Sequence, residues 1–198
     1  MSIIPALVSE CLPPLYFDVS ISHTSSLVLH SMGFAATPLR RVVTTHSGSR
    51  STILFDSHLD LQPGFAANAV TIWKTNSYPA ELTADDPSSD SSAKQMYARG
   101  SLIRVVDFPP RSMGHNHRTQ SLDYAIVLDG EMEMVLEDGS RTRVRAGDVV
   151  VQQATMHQWD NPTGQSARVV FVLLPSEAFV VGEKLGDLGI PKAFRVTT

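Results

Sequence analysis

From Arg40 onward the chain reads as short β-branched or aromatic runs punctuated by Gly, Pro, Asp and Ser. This pattern predicts strands near Arg41–Thr45, Ser51–Phe55, Ala69–Lys74, Leu102–Asp107 and Tyr124–Leu128. Further strands are expected near Met132–Glu137, Thr142–Arg145, Val149–Gln152, His157–Asp160 and Arg168–Leu174. Asp129-Gly130 and Asp138-Gly139 sit between alternating runs, the strongest short hairpin signal, and Ala146-Gly147-Asp148 marks a third turn. No amphipathic helices separate the strands, so a parallel α/β fold is disfavoured and an all-β sandwich or barrel is expected. Ser176–Leu188 reads as a turn or two of helix.

Residues 1–39 break this pattern. They are mildly apolar, rich in serine and without a clear period, and form an N-terminal arm. Two readings stay open: a poorly ordered arm, with Met32 as an alternative start, or an ordered arm covering a sheet edge or a partner. Residues 40–198 read as one domain. The stretch 83–93, Thr-Ala-Asp-Asp-Pro-Ser-Ser-Asp-Ser-Ser-Ala, is an acidic, serine-rich exposed loop between two sets of strands.

Composition narrows the function classes. The 198 residues are 42% hydrophobic and 18% charged, which supports a packed core. A net charge of -4 gives no basic face for nucleic acid or an anionic membrane. No apolar run approaches the roughly 20 residues of a membrane helix. The lone cysteine, Cys11, excludes an internal disulfide framework, and a cytoplasmic setting is expected. The alternating Arg141, Arg143 and Arg145 read as a solvated strand face.

The candidate chemistry lies in three of seven histidines. His115 and His117, two apart in an extended segment, leave the same face and can share a metal ion. His157 follows a hairpin and a return strand, which would bring it alongside, and Asp123 offers an oxygen. His46 and His58 read as ordinary surface or strand histidines.

These residues carry a family resemblance. Residues 109–175 resemble a cupin, a double-stranded β-helix (jelly-roll) barrel. The first cupin motif is G-x5-H-x-H-x3,4-E-x6-G; here His115-Asn116-His117 supplies the pair, Asp123 takes the Glu position and Gly130 follows. Pro109 replaces the first Gly, and five residues separate His117 from Asp123. The second motif is G-x5-P-x-G-x2-H-x3-N; Gly147 opens it, Gln153 and Ala154 replace Pro and Gly, and His157 and Asn161 close it with one residue fewer before the histidine. More loosely, the chain resembles stand-alone single-cupin proteins of fungal secondary-metabolite pathways, with extra N-terminal strands.

The resemblance implies a divalent metal at His115, His117, His157 and Asp123, with Asp123 either a ligand, an acceptor orienting a ligand imidazole or a catalytic proton carrier. Imidazole suits Fe, Ni, Cu, Zn and Mn alike. Fe(II), the favoured ion, would make the chain an oxidoreductase acting on a polyketide-like or aromatic metabolite. Zn or Mn would make it a lyase or isomerase, and a non-catalytic binding cupin is the third alternative. Around the site, Trp159, Met132, Met134 and Arg104 are the expected substrate contacts, with Phe108, Phe171 and Trp73 as further walls. Arg104 and Gln153 are candidates to orient a carboxylate or carbonyl. A small-molecule substrate and a homodimer through edge strands complete the expectation.

Overall fold

The computed structural model describes residues 38–64, 66–89, 99–177, 180–181, 183–184 and 186–189. Cys11, His23, His30, the alternative start at Met32 and most of the arm lie outside them, as do the last residues of the 83–93 loop.

The strands are β1 (Leu39–Ser47), β2 (Arg50–Leu59), β3 (Gln62–Pro63), β4 (Asn68–Lys74), β5 (Leu102–Phe108), β6 (Ser121–Asp129) and β7 (Glu131–Leu136). They continue as β8 (Arg141–Arg145), β9 (Val149–Gln153), β10 (His157–Asp160), β11 (Ala167–Pro175), β12 (Val180–Val181) and β13 (Glu183–Lys184). A single 3-10 turn, Pro87–Ser89, interrupts the β structure of the described residues. Six strands form one sheet in the order β3-β4-β5-β11-β6-β9, and three form a second in the order β10-β7-β8. This is the cupin jelly-roll barrel.

Alternation sorts the larger sheet into inward rows. One cross-strand row is Leu102, Leu173, Asp123 and Gln152; the next is Arg104, Phe171, Ala125 and Val150. A third, Val106, Val169 and Val127, is buried in the core with Met132, Val144 and Trp159. The polar residues in the first two rows locate the site at that end of the barrel. Tight turns keep the register. Gly130 has φ +78, and a β-carbon there would lie 2.7 Å from the Ser166 carbonyl oxygen, so glycine satisfies both the turn and the close approach.

Strands β3 and β4 extend the large sheet, whereas β1 and β2 form a separate hairpin. Arg41 of β1, buried despite its charge, joins this hairpin to β4 and to the acidic loop. Its guanidinium donates to the Ile72 carbonyl and to Asp86 and Ser88. The Arg41 hydrogen bond is the main reason that the Asp86 carboxyl is held down at about 2. The described part of the loop is therefore pinned by Asp86, not freely solvated. The Arg141–Glu133 and Arg143–Glu131 pairs confirm an outward, solvated face for β8. The expected helical turn in Ser176–Leu188 is instead the short antiparallel pair β12–β13.

Candidate metal centre

The segment carrying His115 and His117 runs beside β10 without becoming a regular strand. Backbone bridges pair Ser112 with Asn161 and His117 with His157. Each amide of the His117–His157 bridge donates to the other's carbonyl at 3.0 Å. This bridge explains why two residues 40 positions apart converge. Gly114 permits the approach, since a β-carbon there would overlap the Trp159 backbone carbonyl. Asn161, fully buried, fixes the end of the segment: its amide donates to the carbonyls of Phe108, Pro109 and Gln165.

The ring centroids of His117 and His157 are 4.5 Å apart, and that of His115 stacks 5.5 Å from His117. His117 Nδ1 lies 2.9 Å from the His115 carbonyl, and His157 Nδ1 lies 2.8 Å from the Thr155 carbonyl. A carbonyl only accepts, so both rings carry their proton on Nδ1 and keep the Nε2 lone pair. The backbone thus selects the tautomer that binds a metal through Nε2. His157 Nε2 receives the Gln152 amide at 3.2 Å. The same amide donates to Asp123 Oδ2, while Trp159 Nε1 donates to Gln152 Oε1 at 2.9 Å. Trp159 therefore fixes the orientation of Gln152, which bridges the carboxyl to the imidazole.

His115 takes a different course. Its Nε2 meets the Gly189 carbonyl, within a strap of residues 186–189 held against 115–120. Arg118 and Leu188 exchange two backbone hydrogen bonds, Arg118 Nε donates to the Gly186 carbonyl, and the Gln120 amide donates to Asp187. Among the described residues, no three His, Cys, Asp or Glu side chains meet as a metal-holding cluster. The donor chemistry at the site nevertheless fits a divalent ion. His117 keeps its Nε2 lone pair, His157 Nε2 would offer one on release of the Gln152 amide, and Asp123 Oδ1 is buried without a hydrogen-bond partner.

His115, His117, Asp123, Gln152, His157 and Trp159 line one cavity of about 410 Å³. Arg104, Phe108 and Phe171 also reach it, and much of the remaining wall is apolar, from Pro63 to Leu173. Of the expected substrate contacts, Trp159 and Arg104 are on this wall. Met132 and Met134 are not: Met132 is fully buried in the core and Met134 packs against it. Trp73 instead faces Phe55 and Arg41.

Residues 104–173 match the Cupin domain family. The cupin-domain-containing oxidoreductase virC of Hypocrea virens is 32% identical over 176 residues, spanning 80% of this chain and 91% of that protein. The chain belongs to the cupin family. A second cupin-domain-containing oxidoreductase, fogC of Aspergillus ruber, is 37% identical over 147 residues, covering 70% of this chain and 72% of its own. Phomopsin biosynthesis cluster protein C' of Diaporthe leptostromiformis is 41% identical over 87 residues, 43% of this chain and 46% of its own.

Within this cupin, Ala154 occupies the glycine position of the second motif at φ +51. The left-handed turn survives without glycine, at a conformational penalty of about 1–2 kcal/mol. Gln152 is the site residue that sequence reasoning missed; Gln153, chosen for its polarity, is exposed. The signal was register, because Gln152 pairs directly with Asp123 across β6 and β9.

Burial shifts the two ends of the Gln152 bridge in opposite directions. Desolvation pushes Asp123 up to about 6, against the contacts with Ser121 and Gln152 that lower it. Desolvation, then the charge of His117, pushes His157 down to about 4, opposed by the Thr155 carbonyl. A raised carboxyl stabilises the fold below its unfolded value of 3.8 and loses that contribution as pH rises through about 6. A depressed imidazole contributes fully above its unfolded value of 6.5 and loses stability as pH falls toward about 4. The slopes oppose each other in metal-free protein. Asp123→Asn removes the compensating slope. Urea unfolding in EDTA should then show the variant losing about 2 kcal/mol more than wild type between roughly pH 6.5 and 4.5. Equal losses would contradict the assignment.

Proposed function

We propose that this cupin is a metal-dependent oxidoreductase acting on a small, largely apolar aromatic or polyketide-like metabolite in a secondary-metabolite pathway. The observation carrying this reading is the His117–His157 pair, its tautomers set by the backbone, on the wall of a mostly apolar cavity. The oxidoreductase names of virC and fogC, and the biosynthesis-cluster name of the phomopsin protein, support the reaction class and the pathway setting.

His117 and His157 would hold the ion through Nε2. His115 would join them once its ring leaves the Gly189 carbonyl. When bound, a redox-active divalent ion such as Fe(II) supplies one-electron chemistry and open coordination positions beside the substrate. The protein orients and shields the reactants. Phe108, Phe171 and Trp159 provide flat apolar surface for an aromatic ligand. Asp123, raised toward neutrality, can hold a proton at Oδ1 and release it near pH 6. Gln152 keeps that carboxyl aligned with the imidazole.

Protein purified without added metal should contain iron close to one per chain and consume O2 with aromatic substrates. Stoichiometric zinc or manganese with turnover but no O2 uptake would replace this reading with a lyase or isomerase. Ligand binding without metal or turnover would leave a binding protein.

A further inference from the structure

We propose that Arg104 is the anion-recognition residue of the cavity, and that its natural ligand is an apolar small molecule bearing a carboxylate. The inference deepens the proposed substrate class and rests on the reading of this cavity as the substrate site.

The two buried arginines set the comparison. Arg41 and Arg168 are each almost inaccessible, and each meets a carboxylate: Arg41 with Asp86, and Arg168 with Asp107 through two 2.6 Å hydrogen bonds. This follows the general rule that a guanidinium leaves water only with a counter-charge. Arg104 differs: half-buried on the inward row of β5 beside Phe171, it lines the cavity, and its Nε is buried without a hydrogen-bond partner. No described residue forms an ion pair with it.

Among the described residues Asp123 is the one carboxylate on the cavity wall, and it does not fill this role. It sits two strands away in the neighbouring row, where Gln152 takes its Oδ2. Among the described residues, the cavity presents Arg104 as its one cationic side chain beside Val106, Phe108 and Phe171 and near the imidazoles. A planar guanidinium matches a carboxylate through two parallel hydrogen bonds, and an apolar body would cover the rest of the wall.

The test uses the full chain stripped of metal with EDTA, with 2-naphthoate and its neutral isostere 2-naphthamide as probes in isothermal titration calorimetry. Wild type should bind the acid at least tenfold more tightly than the amide. Arg104→Gln should reduce that preference to within twofold, while Arg104→Lys should keep part of it. Circular dichroism and melting check that the variants fold, and the wild-type acid-to-amide ratio decides the matter alone if Arg104→Gln does not. Equal or absent binding of both probes by wild type, or an unchanged preference in Arg104→Gln, overturns the proposal. No acid preference in wild type, with metal uptake intact, would sink the anion site and leave the proposed metal chemistry standing. The reverse pattern would sink the metal chemistry alone.

Discussion

Metal content should collapse in His157→Ala protein, to about a tenth or less of the wild-type stoichiometry. Removing groups that merely orient a ligand typically weakens metal binding by about 10–100-fold, so loss of a ligand nitrogen should do at least as much. His157 is the more demanding of the pair. Its ring is buried, its Nδ1 is committed to Thr155, and its Nε2 is the only nitrogen aligned with the Gln152–Asp123 bridge. Elemental analysis gives the first readout. The second is thermal: an ion that binds only the folded chain stabilises it by about 2.7 kcal/mol at a hundredfold excess over Kd, and so raises its melting temperature. Wild type should show that rise, and His157→Ala should not. His46→Ala, on the exposed face of the separate hairpin, should behave as wild type. Unchanged metal content in His157→Ala would end the metal reading.

The largest stability loss is expected from Asp107→Ala. Asp107 of β5 and Arg168 of β11 are register partners, and both side chains are about nine-tenths buried. The Asp107 hydrogen bond is the main reason that the Arg168 guanidinium is held more firmly protonated. Truncating the acid removes the two 2.6 Å hydrogen bonds of a buried guanidinium and leaves it only the weaker attraction of Asp129, and breaking a buried pair in this way typically costs about 3–5 kcal/mol. That is a large share of the roughly 5–15 kcal/mol of an ordinary domain. For a chain of this size the melting temperature should fall by about 10 °C. The double variant Asp107→Leu/Arg168→Met should recover much of the loss, because no charge is then stranded. A fall of under about 1 kcal/mol in the single variant would show that solvent reaches the pair.

The positions of the strands along the chain were legible because β-branched runs and Asp-Gly turns carry local information. All ten expected strands are present, with bounds shifted by a few residues at most. The two-residue β3 was not legible: Gln62–Pro63 contains a residue that normally disfavours a ladder. Strand β9 shows why Gln152 was missed. Its alternation is inverted, with Val149 and Val151 exposed at 58% and 54% while Gln152 is 3% exposed. Hydrophobicity alone would turn the valines inward; the partner strand decides otherwise, since Gln152 pairs with Asp123. Met132 and Met134 illustrate the converse. Alternation placed Met132 inside, but the inside of a barrel is partly packed core and partly cavity, and a period of two cannot distinguish them. The convergence of His117 with His157 followed from motif spacing. The diversion of His115 to Gly189 did not, because it depends on a contact 74 residues away.

The strap at 186–189 makes protein engineering at the far end of the chain a matter of the candidate site's geometry. Any purification handle fused beyond Gly189 pulls on a peptide whose carbonyl holds an imidazole nitrogen. Trimming that end would free His115 to rotate. Metal loading measured on C-terminally tagged, N-terminally tagged and shortened preparations should therefore differ, and the placement of the tag becomes a reagent in its own right.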